Sequence, residues 1–171
     1  MPGLTALSWP EVLDHLVKLG LAYLLALPIG WSQERAERSA GLRTFPLVAV
    51  ASCGLMIVAL KVMKGSAEAE ARVLEGMITG IGFIGGGAIL KGLHSVQGTA
   101  SAASIWNVGI IGATVAYGLY DIALILSLIN LATLRLLMPL KRDVGSAGAD
   151  GDASGSLASA PAAERPRREG T

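Results

Sequence analysis

The run from Val73 to Gly92, VLEGMITGIGFIGGGAILKG, constrains this chain more than any other stretch. It carries seven glycines after Glu75, yet it is apolar from Gly76 to Leu90. In water each interior glycine would cost a helix about 1 kcal/mol relative to alanine. In a bilayer the backbone has to bond to itself, which holds such a segment helical. There the glycines let neighbouring backbones approach closely. A solvated glycine-rich linker would not carry Met77, Ile78, Ile81, Phe83, Ile84, Ile89 and Leu90. At about 100° per residue, Gly76, Gly80 and Gly87 fall on one side of the helix, and Gly82, Gly85 and Gly86 on the other. Two small faces predict two close neighbours, and so a central place in a helical bundle.

Composition agrees. The chain is 52% hydrophobic and 16% charged, where a soluble domain carries about 25% charged residues. The charges are clustered and leave long apolar windows. We expect an all-α membrane protein of about five transmembrane helices, residues 1–142, followed by a disordered polar tail, 143–171, rich in Gly, Ala, Ser and charged residues. The spans are expected at Val12 to Trp31, Phe45 to Val62, the glycine helix, Ala102 to Tyr117 and Asp121 to Met138. The N-terminus lacks the basic start of a signal peptide, so the first helix is expected to stay. Ala102, Gly109, Ala113 and Ala116 give the fourth span a small side, expected to pack on the glycine helix. The fifth has no glycine and is expected at the lipid-facing periphery or against another chain. Cys53 reads as a small core residue.

Lys and Arg near the spans set the orientation. Arg35, Arg38, Arg43, Lys91, Lys141 and Arg142 share one side, against Lys61, Lys64 and Arg72 on the other. This places the C-terminus in the cytoplasm and the N-terminus outside.

Between the first two spans lies a charged hairpin, SQERAERSAGLRT. Glu34 and Arg38 stand at i,i+4, the favourable order for a helical ion pair. Gly41 suits a turn, and Thr44 suits a cap with Pro46 in the first turn. The hairpin reads either as a solvated anchor of topology or as a recognition surface or pathway mouth. Glu75 reads as an acid near a helix N-terminus or as part of a cation site. Asn107 and Asn130 read as interhelical glue or as pore lining. His94 has no second His or Cys nearby. No Gly-x-Ser-x-Gly, P-loop, His-Glu-x-x-His or intramembrane carboxylate pair is present, so no enzyme, cofactor or metal is expected. No basic stripe with interleaved aromatics points to nucleic acid.

Three stretches together, ALPIGWSQERAERSAGLRTFPLV, MITGIGFIGGGAIL and GLHSVQGTASAASIWNVGIIGATVAYGLY, resemble the signature segments of the MgtC/SapB membrane proteins. The resemblance covers about Leu21 to Leu126. Gly30, Glu34, Ala40, Gly41, Leu42, Arg43 and Thr44 match its first motif. Gly80, Gly82, Phe83, Gly85 and Gly87 match the second, with Gly86 between them. Gly98, Ala102, Ala103 and Trp106 match the third. Ser32 stands where the family usually has an acid, and Gln33 and Gln97 where Arg is common. The charged Arg35 and Arg38 lie inside the first motif's run. The resemblance implies a bacterial inner-membrane protein linked to adaptation to low magnesium and, in pathogens, to survival inside macrophages. It also implies action on a larger membrane complex such as the F-type ATP synthase. Longer members of the family carry a soluble C-terminal domain, and the 143–171 tail is expected to be too short and polar for one. The alternative is a small oligomeric channel or transporter for Mg²⁺ or another solute.

Overall fold

The structure, a computed structural model, describes residues 8–35, 41–63, 65–91 and 96–136. The expected tail and His94 lie outside the described residues, as do Arg38 and the Glu34–Arg38 pair.

Five helical runs form an all-α membrane bundle: α1 (Trp9–Glu34), α2 (Thr44–Met63), α3 (Ala67–Gly87), α4 (Thr99–Ala116) and α5 (120–136). Three of them, α1, α2 and α4, are long and apolar enough to cross a membrane. α1 has 26 residues, about 39 Å at 1.5 Å per residue, which exceeds a hydrocarbon core of about 30 Å. It contains Pro28 within its run, and it starts at Trp9, three residues before the expected Val12. α3 is as long as α2 but opens with Glu68, Glu70 and Arg72, and only its second half is apolar.

Local chemistry sets the ends. The Ser66 hydroxyl accepts the Ala69 N–H and caps α3, with Glu68 and Glu70 in the first turn, where acids meet the positive end of the dipole. α3 stops after Gly87, five residues short of the glycine run's end. The chain then pairs Leu90 with Gln97 and Lys91 with Val96, as strands β1 (Leu90–Lys91) and β2 (Val96–Gln97). Gly98 follows at φ +86° and leads into α4.

The bundle is built around α4, which buries ten of its 18 residues, from Ser101 to Ala116. α2 crosses it most closely: a methyl on Gly112 would run into the backbone carbonyl of Ala49. α3 is not central. It buries only Met77, Ile81 and Gly85, one stripe at i+4 spacing. The expectation of two packed small faces is therefore corrected. α3 closes onto α4 through Gly85, whose added Cβ would stand 3.2 Å from the Ala102 carbonyl, and through Ile81, which fills the space at Gly109. The small side of α4 is thus shared, with Ala102 and Gly109 toward α3 and Gly112 toward α2. α5 is peripheral, but it has a small, polar inner stripe that its Leu- and Ile-rich sequence obscured. Ala123, Ser127, Asn130 and Leu134 are buried and Leu126 packs partly buried against the core, while Ile122, Leu124, Ile125, Leu128, Ile129 and Leu136 are exposed.

Candidate functional site

The helices alternate in direction, so the α1 C-terminus, the α2 start, the α3 end, the α4 start and the second half of α5 meet at one end of the bundle. Most residues singled out by sequence gather there.

Gly30 allows α1 to touch the α2 entry: an added Cβ would stand 3.2 Å from the Leu42 Cα and 3.4 Å from the Phe45 Cβ. One turn on, the Glu34 carboxylate accepts the Leu42 N–H at 3.0 Å. It lies directly over Gly41, where a methyl group would collide with it. The Gly41 carbonyl then accepts the Thr44 and Phe45 N–H groups at 3.0 and 3.3 Å. Thr44 is therefore the first residue of α2 and not its cap. Gly30, Glu34, Gly41 and Thr44 together form one latch that folds the chain back. Arg35 and Arg43 remain exposed, Arg35 with its guanidinium 5.3 Å from the Trp31 ring, a cation–π contact suited to a headgroup layer.

Inside the latch runs a chain of hydrogen bonds in one direction. The Ser101 hydroxyl donates to Gln33 Oε1 at 3.3 Å, Gln33 Nε2 donates to the Ser104 Oγ at 3.5 Å, and Ser104 donates to Asn130 Oδ1 at 2.9 Å. Gln33 is 1% exposed and Asn130 8%. The last donor, Asn130 Nδ2, finds no acceptor among the described residues. This cluster joins α1, α4 and α5. Sequence reasoning noticed Asn130 alone. Gln33 falls in the charged hairpin, and Ser101 and Ser104 carry no assignment from sequence. Their i,i+3 spacing on an apolar helix was the available signal.

The other candidates are separate from this cluster. Asn107 Nδ2 donates to the Leu126 carbonyl at 3.3 Å, which ties α4 to α5, while Ser127 ties α5 to the Leu25 carbonyl of α1 at 2.7 Å. Trp106 faces outward. Glu75 does not open α3, which begins at Ala67; it is exposed, and its carbonyl accepts the Thr79 hydroxyl. Among the described residues no three His, Cys, Asp or Glu side chains converge on a metal position. Among the described residues, a Cβ added at Gly80, Gly82, Gly86, Gly87 or Gly76 would meet nothing within 4 Å. Phe83, between them, is 85% exposed. α3 thus presents an open, glycine-lined face beside the latch end.

Comparison with known proteins accounts for this pattern. The family described as the MgtC family matches residues 19–143. Protein SrpB of Synechococcus elongatus is 34% identical over 137 residues, covering 73% of this chain and 75% of that protein. Protein SapB of Bacillus subtilis is 32% identical over 150 residues, 81% of this chain and 63% of that protein. Protein MgtC of Brucella abortus is 33% identical over 132 residues, 77% of this chain and 55% of that protein. The chain thus spans three quarters of SrpB and under two thirds of the SapB and MgtC relatives. No solved structure matches it. A family match across most of the bundle, including the latch and both glycine-bearing helices, shows that the chain belongs to the MgtC family of membrane proteins.

Proposed function

We propose that this chain is a multi-pass protein of the bacterial inner membrane that regulates a larger membrane complex by direct helix contact. Its setting is the adaptation to low magnesium that the resemblance implies, and the membrane sector of the F-type ATP synthase is the partner suggested by analogy. The reading is non-catalytic. The excess of positive residues near the latch end supports a cytoplasmic placement of that end and of the C-terminus.

The observation that carries it is the open face of α3. In lipid, association depends on close van der Waals packing, which small residues permit. A Cβ added at Gly76, Gly80, Gly82, Gly86 or Gly87 would meet nothing within 4 Å among the described residues, so no packing described within the chain calls for their lack of side chains. A helix from another protein would make use of it. The test is a mild-detergent pull-down of the tagged protein from its own host under scarce Mg²⁺, with mass spectrometry of what is retained. A stoichiometric membrane protein, lost in Gly86→Leu, supports the reading. Self-association alone, unchanged by Gly86→Leu, counts against it.

Conduction of a small solute is a second reading, and one observation favours it: the buried polar chain that ends in the unpaired Asn130 amide. Glu75 and Asn107 do not contribute, since one is exposed on α3 and the other is bonded to α5. Flux through liposomes that is blocked by Asn130→Leu would support it. Absence of flux would remove it.

A further inference from the structure

The opposite end of the bundle holds a groove that neither the family motifs nor the reading above uses. Its volume is about 340 Å³, and it is lined by Glu11, His15 and Lys18 of α1, Ile57, Leu60 and Lys61 of α2, and Ala116 of α4. That lies at the small end of the range for ligand sites. The family-model match begins at residue 19, just after the α1 residues that line the groove.

The groove lies at the end of the bundle where exposed aromatic residues cluster. Trp9, Tyr117 and Tyr120 are exposed around the same end, at the α1 start, the α4 end and the α5 start, as in an interfacial aromatic belt. Leu13, Leu16 and Val17 face outward on α1 beside it. From Glu11 to Lys18 the wall descends seven residues, about 10 Å along the helix. The depth spans a headgroup and the first carbons below it.

The charges are balanced. Lys61 donates to Glu11, and Lys18 pairs with Asp14 at 2.9 Å. An ammonium has three donors, and a carboxylate has about four acceptor positions, so each ion keeps free capacity after these contacts. The two lysines on the groove each have an acid partner, Glu11 in the lining and Asp14 just outside it, and so favour neither a bare anion nor a bare cation. Such pairs match a ligand that carries one charge of each sign. The apolar floor of Ile57, Leu60 and Ala116 suits the glycerol and upper methylenes of a lipid, whereas a free solute would leave it wet.

We infer that this groove holds the headgroup of a zwitterionic aminophospholipid, with its phosphodiester on Lys18 and Lys61 and its ammonium on Glu11. No covalent step is involved. The test is native mass spectrometry of the full chain in detergent, with equimolar dioleoyl phosphatidylethanolamine, phosphatidylglycerol and phosphatidylcholine. One phosphatidylethanolamine is expected to be retained about tenfold over the others, the effect of one charge-assisted hydrogen bond. Phosphatidylcholine lacks the ammonium N–H groups, and phosphatidylglycerol lacks the positive charge. Glycerophosphoethanolamine in excess should displace the lipid, and inorganic phosphate should not. Glu11→Gln and Lys61→Gln should each abolish the preference, and the wild-type lipid panel decides the matter if either variant fails to fold. Equal retention of the three lipids, preference for phosphatidylglycerol, or displacement by inorganic phosphate would overturn the inference. So would failure of the soluble headgroup to compete.

Discussion

Gly98 and Gly118 share a left-handed backbone, at φ +86° and +77°, but differ in their surroundings. An alanine at Gly118 would meet nothing within 4 Å, whereas at Gly98 its methyl would run into the Ala88 carbonyl. Gly118→Ala should therefore cost only the left-handed penalty, about 1–2 kcal/mol. Gly98→Ala adds overpacking against backbone and should cost about 3 kcal/mol or more. Unfolding of both variants in detergent, followed by circular dichroism, measures the difference, and equal losses would mean that the Ala88 backbone yields. Glu34 gives a similar contrast. Glu34→Gln keeps an acceptor for the Leu42 N–H, while Glu34→Ala removes it and should cost about 1 kcal/mol more by the same measurement. That the chain turns between the first two spans was legible from the hairpin's charge density. That Glu34 serves a backbone N–H eight residues away was not, because an i,i+4 arginine offered a simpler partner in one dimension.

At the scale of the element, α3 shows what a glycine pattern leaves undecided. Glycine reports that something must come close, but not whether the neighbour belongs to the same chain. Gly85 lies against the Ala102 backbone and Gly86, the next residue, against nothing. The two substitutions should therefore separate. Gly85→Leu is expected to push α3 off α4 and lower thermal stability by about 2–3 kcal/mol. Gly86→Leu should leave the melting curve within about 0.5 kcal/mol of wild type while losing the pull-down partner. Destabilisation of equal size in both would place a neighbour of this same chain over the open face. The helices themselves were legible because unbroken apolar windows in lipid admit few alternatives. The centrality of α4 was harder to read. Its small and polar residues, Ser101, Ser104, Gly109, Gly112, Ala113 and Ala116, point to several sides at once. Such a helix is surrounded by neighbours, and a one-face reading of Ala102, Gly109 and Ala113 misses the Gly112 contact with α2.

For the whole molecule, the question is what holds helices together where lipid gives them no hydrophobic reason to associate. Close backbone approach answers for α2, α3 and α4. For α5, whose outward face is Leu and Ile, the answer is polar: Ser127 to Leu25, Asn107 to Leu126, and the Gln33–Ser104–Asn130 chain. In this last chain Ser104 is acceptor for one partner and donor to the other, so α1 and α5 are linked through a hydroxyl on α4. A double-mutant cycle tests this directly. Gln33→Leu and Asn130→Leu should each cost about 1 kcal/mol, since interhelical polar contacts in membranes average under that value. Each single change also strands Ser104 with one partner fewer. The double variant should then cost less than the sum by about 0.5–1 kcal/mol, as expected for residues of one network. Reversible unfolding in mixed detergent would give all four stabilities. Strict additivity would mean that Gln33 and Asn130 act separately, and that α5 is held by Ser127 and Asn107 alone. Coupling would make the buried chain the joint between the latch and the outer helix, so that a partner gripping the latch end would be felt at α5.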